Sequence, residues 1–211
     1  MKKLMLIAAL MAVTMSLQAQ RLFLKPMVGG EFATLTKAND TNLRLGFVGG
    51  AELGFHIIDP IAITAGALYS MQGTYVEEID NHKDCKTMLN YLNVPILANF
   101  YILPELCVKA GIQPGFLLSA KVEDKQRRSD GWLEYKNKGT DGFNTFDLSI
   151  PVGLSWEVTD VAVLEFRYNL GVSKIFKSDY HSGKDNVHEA YHPDAKNSVM
   201  MLTIGYKIPL F

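Results

Sequence analysis

Eight segments of this chain alternate apolar and polar residues with a period of two, and that alternation restricts the fold more than any other feature of the sequence. They run 22–35, 44–57, 61–75, 88–102, 106–121, 145–158, 161–175 and 198–208. The sixth is the cleanest. Phe146, Leu148, Ile150, Val152, Leu154, Trp156 and Val158 fall on one face, and Asp147, Ser149, Pro151, Gly153, Ser155 and Glu157 on the other. A helix would mix these sets, whereas a pleated strand separates them. The connections alternate too. Residues 58–60, 103–105 and 159–160 are tight turns, while 36–43, 76–87, 122–144 and 176–197 are long and polar. Short turns at one end and long loops at the other predict an all-β, eight-stranded antiparallel up-and-down barrel. In a transmembrane barrel of the outer-membrane type the short turns are periplasmic.

The start of the chain suits that destination. Lys2 and Lys3 precede an apolar run from Leu4 to Leu17 that stops at Gln18-Ala19-Gln20, the order of an export signal peptide. Cleavage after Ala19 is expected, leaving one domain, residues 20–211. The apolar stretches of that domain are broken by Asn93, Asn99, Pro104 and Glu105 before reaching the length of a membrane helix. Any crossing must therefore be made by strands. With 21 Lys and Arg against 22 Asp and Glu, the chain shows no polyanion-binding signal, and nucleic acid is not an expected partner.

Alternation alone does not say which face meets lipid, because a soluble ligand-carrying barrel alternates as well. Glycine decides between them. Gly29, Gly46, Gly50, Gly54, Gly66, Gly111, Gly115, Gly153, Gly171 and Gly205 share the polar phase, against Gly30, Gly49 and Gly73 in the apolar one. Eight strands enclose a space that side chains fill, so small residues are needed inside to make room for large polar ones. In outward phase the one charge is Lys174, at the loop end of its strand, where its head can reach water. A cation facing lipid at the midplane would cost about 2–4 kcal/mol. Tyr69, Trp156, Tyr168 and Tyr206 suit interfacial girdles, while Tyr91 and Tyr101 fall in inward phase.

The polar face therefore predicts a plugged polar lumen. Lys25, Lys109, Lys121, Arg167 and Lys207 are balanced there by Glu31, Glu52, Asp147, Glu157 and Glu165, with Arg167 and Glu165 expected at the centre. Buried charges must pair, because a lone one is costly. Among the long loops, 123–144 carries Arg127, Arg128, Trp132 and Tyr135, a basic and aromatic set suited to lipopolysaccharide phosphates or a partner protein.

Candidate chemistry is sparse. His188-Glu189-Ala190-Tyr191-His192 has the H-E-x-x-H spacing of zinc proteases, which works when a helix holds both imidazoles on one face. Here it lies in a polar loop and Pro193 follows directly, so no metal is assigned, nor any cofactor or catalytic residue. Cys85 and Cys107 belong to opposite ends of the barrel, too far apart for a disulfide, and two free thiols are expected.

The stretches Tyr91-Leu92-Asn93-Val94-Pro95-Ile96-Leu97, Ala110-Gly111-Ile112-Gln113-Pro114-Gly115, Arg167-Tyr168-Asn169-Leu170-Gly171 and Ile204-Gly205-Tyr206-Lys207 resemble the PorT-type outer-membrane β-barrel family of the Bacteroidetes. The resemblance implies an outer-membrane location and, for the family's namesake, a part in protein secretion by the type IX route. Asn93 and Asn99 stand where members commonly carry an acidic and a basic residue, so the lumen pairing differs here. The leading expectation is a non-enzymatic barrel that scaffolds the envelope or presents outer loops to a partner. The alternatives are an accessory component of a secretion assembly, and then an envelope enzyme or a small-solute pore.

Overall fold

The computed structural model describes residues 22–38, 41–79, 82–128, 131–140, 142–177 and 191–210. Eleven strands make one antiparallel sheet: β1 (Leu22–Ala38), β2 (Thr41–Ile58), β3 (Ile61–Ile79), β4 (His82–Asn93), β5 (Ile96–Leu103), β6 (Leu106–Arg128), β7 (Gly131–Lys138), β8 (Phe146–Glu157), β9 (Ala162–Gly171), β10 (Tyr191–Tyr206) and β11 (Ile208–Pro209). They form a ring of eight. β4 and β5 are one wall strand interrupted at Val94-Pro95, β11 continues β10, and β6 pairs with β8 along its lower half and with β7 along its upper half. The ring closes between β1 and β10, from Met27 opposite Gly205 to Ala38 opposite Tyr191.

The proline at β4/β5 removes a ladder donor, yet it does not shift the phase. Val94 N–H donates to Pro114 O at 2.8 Å and Gly66 N–H to Pro95 O at 3.0 Å, and Tyr91, Asn93, Pro95, Leu97 and Asn99 all remain buried. The phase changes elsewhere. Asn90 faces Ser119 and Tyr91 faces Leu117, a bulge after which Leu118 and Ser119 both point outward. A second irregularity sets four residues of β2 between Leu43 and Val48 against three of β3. Gly73 sits there at φ +132°, a conformation that only glycine adopts without strain.

Three of the expected long loops, 36–43, 76–87 and 122–144, are largely strand. β1 and β2 continue to Ala38 and from Thr41, β3 and β4 to Ile79 and from His82, and residues 106–138 form a long hairpin in which Arg128 faces Gly131. Strands of 17 to 23 residues exceed the roughly 9–11 that cross hydrocarbon, so one end of the barrel projects well beyond it. Outward side chains are apolar and bare: Leu45 is 68% exposed and Ile204 64%, with Phe47, Phe100, Ile112, Phe116, Leu154 and Phe166 in the same state. A soluble barrel would bury this surface.

Candidate functional site

The interior is built from pairs in which a glycine on one strand faces a large residue on the next. Glu31 is opposite Gly46, Glu52 opposite Gly66, Arg167 opposite Gly153, Asp147 opposite Gly115 and Phe23 opposite Gly54. A Cβ on Gly66 would lie 2.7 Å from Glu52 Cγ, one on Gly153 would lie 3.0 Å from Arg167 Cα, and one on Gly205 would lie 3.0 Å from Lys25 Cγ. The curvature of so narrow a ring turns inward side chains toward each other, and small-against-large pairing accommodates them.

Over those glycines lies an ion layer. Lys25 Nζ donates to Glu165 at 2.6 Å and lies 2.9 Å from Glu52. Lys109 Nζ is 2.7 Å from Glu165 and 3.8 Å from Glu52, and Arg167 Nη2 donates to Glu52 at 2.6 Å and also to Glu165. Arg167 is 1% exposed and Glu52 0%. Glu165 thus touches all three cations, and three positive charges share two carboxylates. Toward the short-turn end lies a second group: Lys207 pairs with Glu157 at 2.8 Å, Tyr101 donates to Glu157 at 3.1 Å, and Lys207 Nζ lies 5.0 Å from the Phe23 ring centroid.

The lumen is not polar throughout. Met27, Ala33, Val48, Leu68, Val199 and Met201 form one buried cluster. At the far end Leu35, Leu89, Tyr91, Leu117, Ala120, Ile175 and Ala195 form another, completed by Phe143 and Phe176. The two phenylalanines come from segments that leave the wall and turn in, 139–145 after β7 and 172–177 after β9. Their rings stack at 5.4 Å between centroids, and Asn144 Nδ2 donates to Phe176 O at 3.1 Å. The alternation rule did not find this apolar cap, because Phe143 lies outside the alternating segments and Phe176 lies one residue past the end of 161–175.

Among the remaining expected lumen charges, Glu31 has both carboxylate oxygens 2.9 Å from Ser70 Oγ, and Asp147 accepts from Ser173 and, at 3.0 Å, from Asn197. Lys121 is a correction. The Ser119 bulge reverses its phase, so that Ala120 and Val122 pack into the apolar cap while Lys121, 33% exposed at the side chain, pairs with Glu123 on the opposite face. Arg44, absent from the sequence assignment, takes the inward place. It is half-buried, donates to Gln72 O and acts electrostatically on Glu31. With Arg44 in place of Lys121, the interior set is still five cations against five anions. Gln72 Oε1, Asn99 Oδ1, Gln113 Oε1, Asn169 Oδ1 and Thr203 Oγ1 are buried acceptors without a protein donor, positions that water satisfies in protein interiors.

Of the loop residues, register separates the set. Arg127 is opposite Trp132, whereas Arg128 falls opposite Gly131, and Tyr135 opposite Asp124, at positions of the other parity. His188, Glu189 and Ala190 lie outside the described residues. Tyr191 and His192 open β10 in extended backbone, which does not supply the helical spacing of the zinc motif. Among the described residues no group of three or more His, Cys, Asp or Glu is arranged to hold a metal. Cys107 is a buried free thiol. Cys85, on β4, is opposite Val76 of β3, and Cys107, on β6, is opposite Tyr101 of β5 at the foot of the same wall strand, 16 residues beyond Cys85 or about 50 Å along it.

Solved structures with a similar outline include the attachment invasion locus protein Ail of Yersinia pestis, at 14% identity and TM-score 0.49 over 89% of this chain and 99% of that one. The outer membrane protein OprG of Pseudomonas aeruginosa follows at 11% and 0.47 over 89% and 96%, and the outer membrane protease OmpT of Escherichia coli at 10% and 0.33 over 89% and 95%. No curated protein matches the chain in sequence. The family profile described as outer membrane protein beta-barrel domain matches residues 14–177, which is 164 of 211 residues. On that match, and on its closed ring of eight strands, the chain belongs to the outer membrane protein beta-barrel domain family and resides in the outer membrane.

Proposed function

We propose that this chain is a non-enzymatic outer-membrane barrel that conducts nothing, and that its work is done by the strands and connections projecting beyond the lipid. The observation that carries this reading is the double closure of the lumen. The ion layer around Glu165 fills one level, and the Phe143 and Phe176 cap fills another. Such a barrel contributes a rigid wall and an external surface. In the same reading, residues 1–19 are the export signal, and the mature chain is expected to begin at Gln20.

Planar-bilayer recording of the purified barrel tests the proposal. No steady conductance is expected, and a stable ohmic pore would refute it. The strand motifs around Tyr91 and Arg167, which resemble PorT-type barrels, favour a second reading as an accessory component of a secretion assembly. Gentle extraction and identification of copurifying proteins separates the two, since a scaffold leaves the membrane without stoichiometric secretion partners.

A further inference from the structure

The outward face of the barrel changes character above the β6 bulge. Below it that face presents Phe116 and Leu118, apolar and about half exposed. Above it the same face carries Lys121 and Glu123, and Lys121 stands three residues past Leu118, about 10 Å along the strand. The backbone register of β4, β6 and β7 brings further charges to this level. Lys121 is opposite Lys138, Glu123 is opposite Lys136 on one side and Lys86 on the other, and Lys125 is opposite Glu134. Residues directly opposed across an antiparallel ladder share one face. Five lysine positions therefore meet two acidic ones on a single three-stranded surface.

One of these oppositions, Lys121 with Lys138, sets like charge against like. Such pairs destabilise a sheet. The chain as a whole is slightly acidic, so this surplus is local and not a by-product of composition. A multivalent anion lying between the strands would convert the repulsion into attraction. The place where that anion is met follows from the height of the surface, immediately beyond the apolar band, where the acyl layer of an outer leaflet ends and phosphorylated headgroups begin.

We infer that the outward face of β4, β6 and β7 is a binding surface for the phosphorylated headgroup of an outer-leaflet glycolipid, namely lipopolysaccharide. The inference rests on the proposed orientation, with the long hairpins at the outer surface. It makes the surface a lateral clamp on the lipid and not a contact with a soluble partner.

The test compares binding of labelled lipopolysaccharide to full-length barrel in phosphatidylcholine vesicles, with each variant first checked for heat-modifiable mobility as a sign of folding. Intact lipopolysaccharide is expected to bind in a salt-sensitive way, and chemical removal of its phosphates to weaken binding. The double variant Lys121→Glu with Lys138→Glu should weaken binding about tenfold or more. Lys177→Glu with Lys196→Glu, which alters lysines outside this surface, should leave it unchanged. Equal binding of the dephosphorylated lipid, wild-type affinity in the Lys121/Lys138 variant, or equal loss in the Lys177/Lys196 control would each overturn the inference. Full competition by millimolar inorganic phosphate would assign the surface to free phosphate and overturn it as well. A steady pore in bilayer recordings would refute the plugged-barrel reading without touching this comparison.

Discussion

The ion layer makes an asymmetric forecast about its own members. Lys25, Lys109 and Arg167 share Glu52 and Glu165, so the layer holds one surplus positive charge. Removing a carboxylate and removing a lysine are then very different perturbations. Glu165→Gln leaves three buried cations around a single Glu52, and breaking a buried pair in this way costs about 3–5 kcal/mol. Lys109→Met leaves two cations with two carboxylates, and the loss is confined to a charge-assisted hydrogen bond, about 2 kcal/mol or less. The double variant Glu165→Gln/Lys109→Met restores a surplus of one and should recover part of the Glu165→Gln loss, a non-additivity that a double-mutant cycle reads directly. Denaturant unfolding of the barrel in vesicles, followed by Trp fluorescence and gel mobility at fixed pH, supplies the numbers. If Lys109→Met proves as damaging as Glu165→Gln, or if the two losses simply add, the charge accounting of this layer is wrong.

Four further outcomes follow from particular contacts. Gly66→Ala places a Cβ 2.7 Å from Glu52 Cγ and should destabilise the barrel by about 1–3 kcal/mol, as overpacking does. In Gly30→Ala the nearest atom is 3.9 Å away, and this lipid-side variant should be neutral or slightly stabilising in the same unfolding assay. Phe143→Ala should release the 139–145 segment from the cap, seen as new protease cleavage there with the heat-modifiable barrel intact; an unchanged digest would argue against the cap. Intact mass after alkylation should show both cysteines free, with Cys107 reacting only after unfolding, and a crosslink between Cys85 and Cys107 would contradict the wall register.

The wall was legible because its two faces obey opposite rules over eight segments, and the partitioning of glycine identified the inner face before any contact was known. The reason emerges at Glu52, Arg167 and Asp147, each set against a glycine of the adjoining strand, so that the glycines mark where the large charged residues lie. Three features escaped for separate physical reasons. Lys121 changed sides because one extra residue at the Ser119 bulge reverses every later position, and nothing in the local sequence marks that bulge. Arg44 was passed over because it lies at the strand's outer end, where loop and lumen positions look alike. The Phe143 and Phe176 cap arises from a contact between residues far apart in sequence, both just outside the alternating segments, which is set only when the ring closes. The polar connections were misjudged as loops for a related reason, since a hairpin above the membrane is solvated on both sides and need not alternate.

The central claim is that the apolar phase faces acyl chains and the glycine phase faces a sealed interior. Nitroxide labels at single cysteines along β8, in a background with Cys85 and Cys107 replaced, test it in lipid vesicles by their accessibility to oxygen, which concentrates in the hydrocarbon, and to a water-soluble nickel chelate. Labels at Ile150, Val152 and Leu154 should show high oxygen and low nickel accessibility, and labels at Ser149 and Ser155 low accessibility to both, giving a period of two along the strand. Uniform oxygen accessibility, or the same alternation with its phase reversed, would contradict the account.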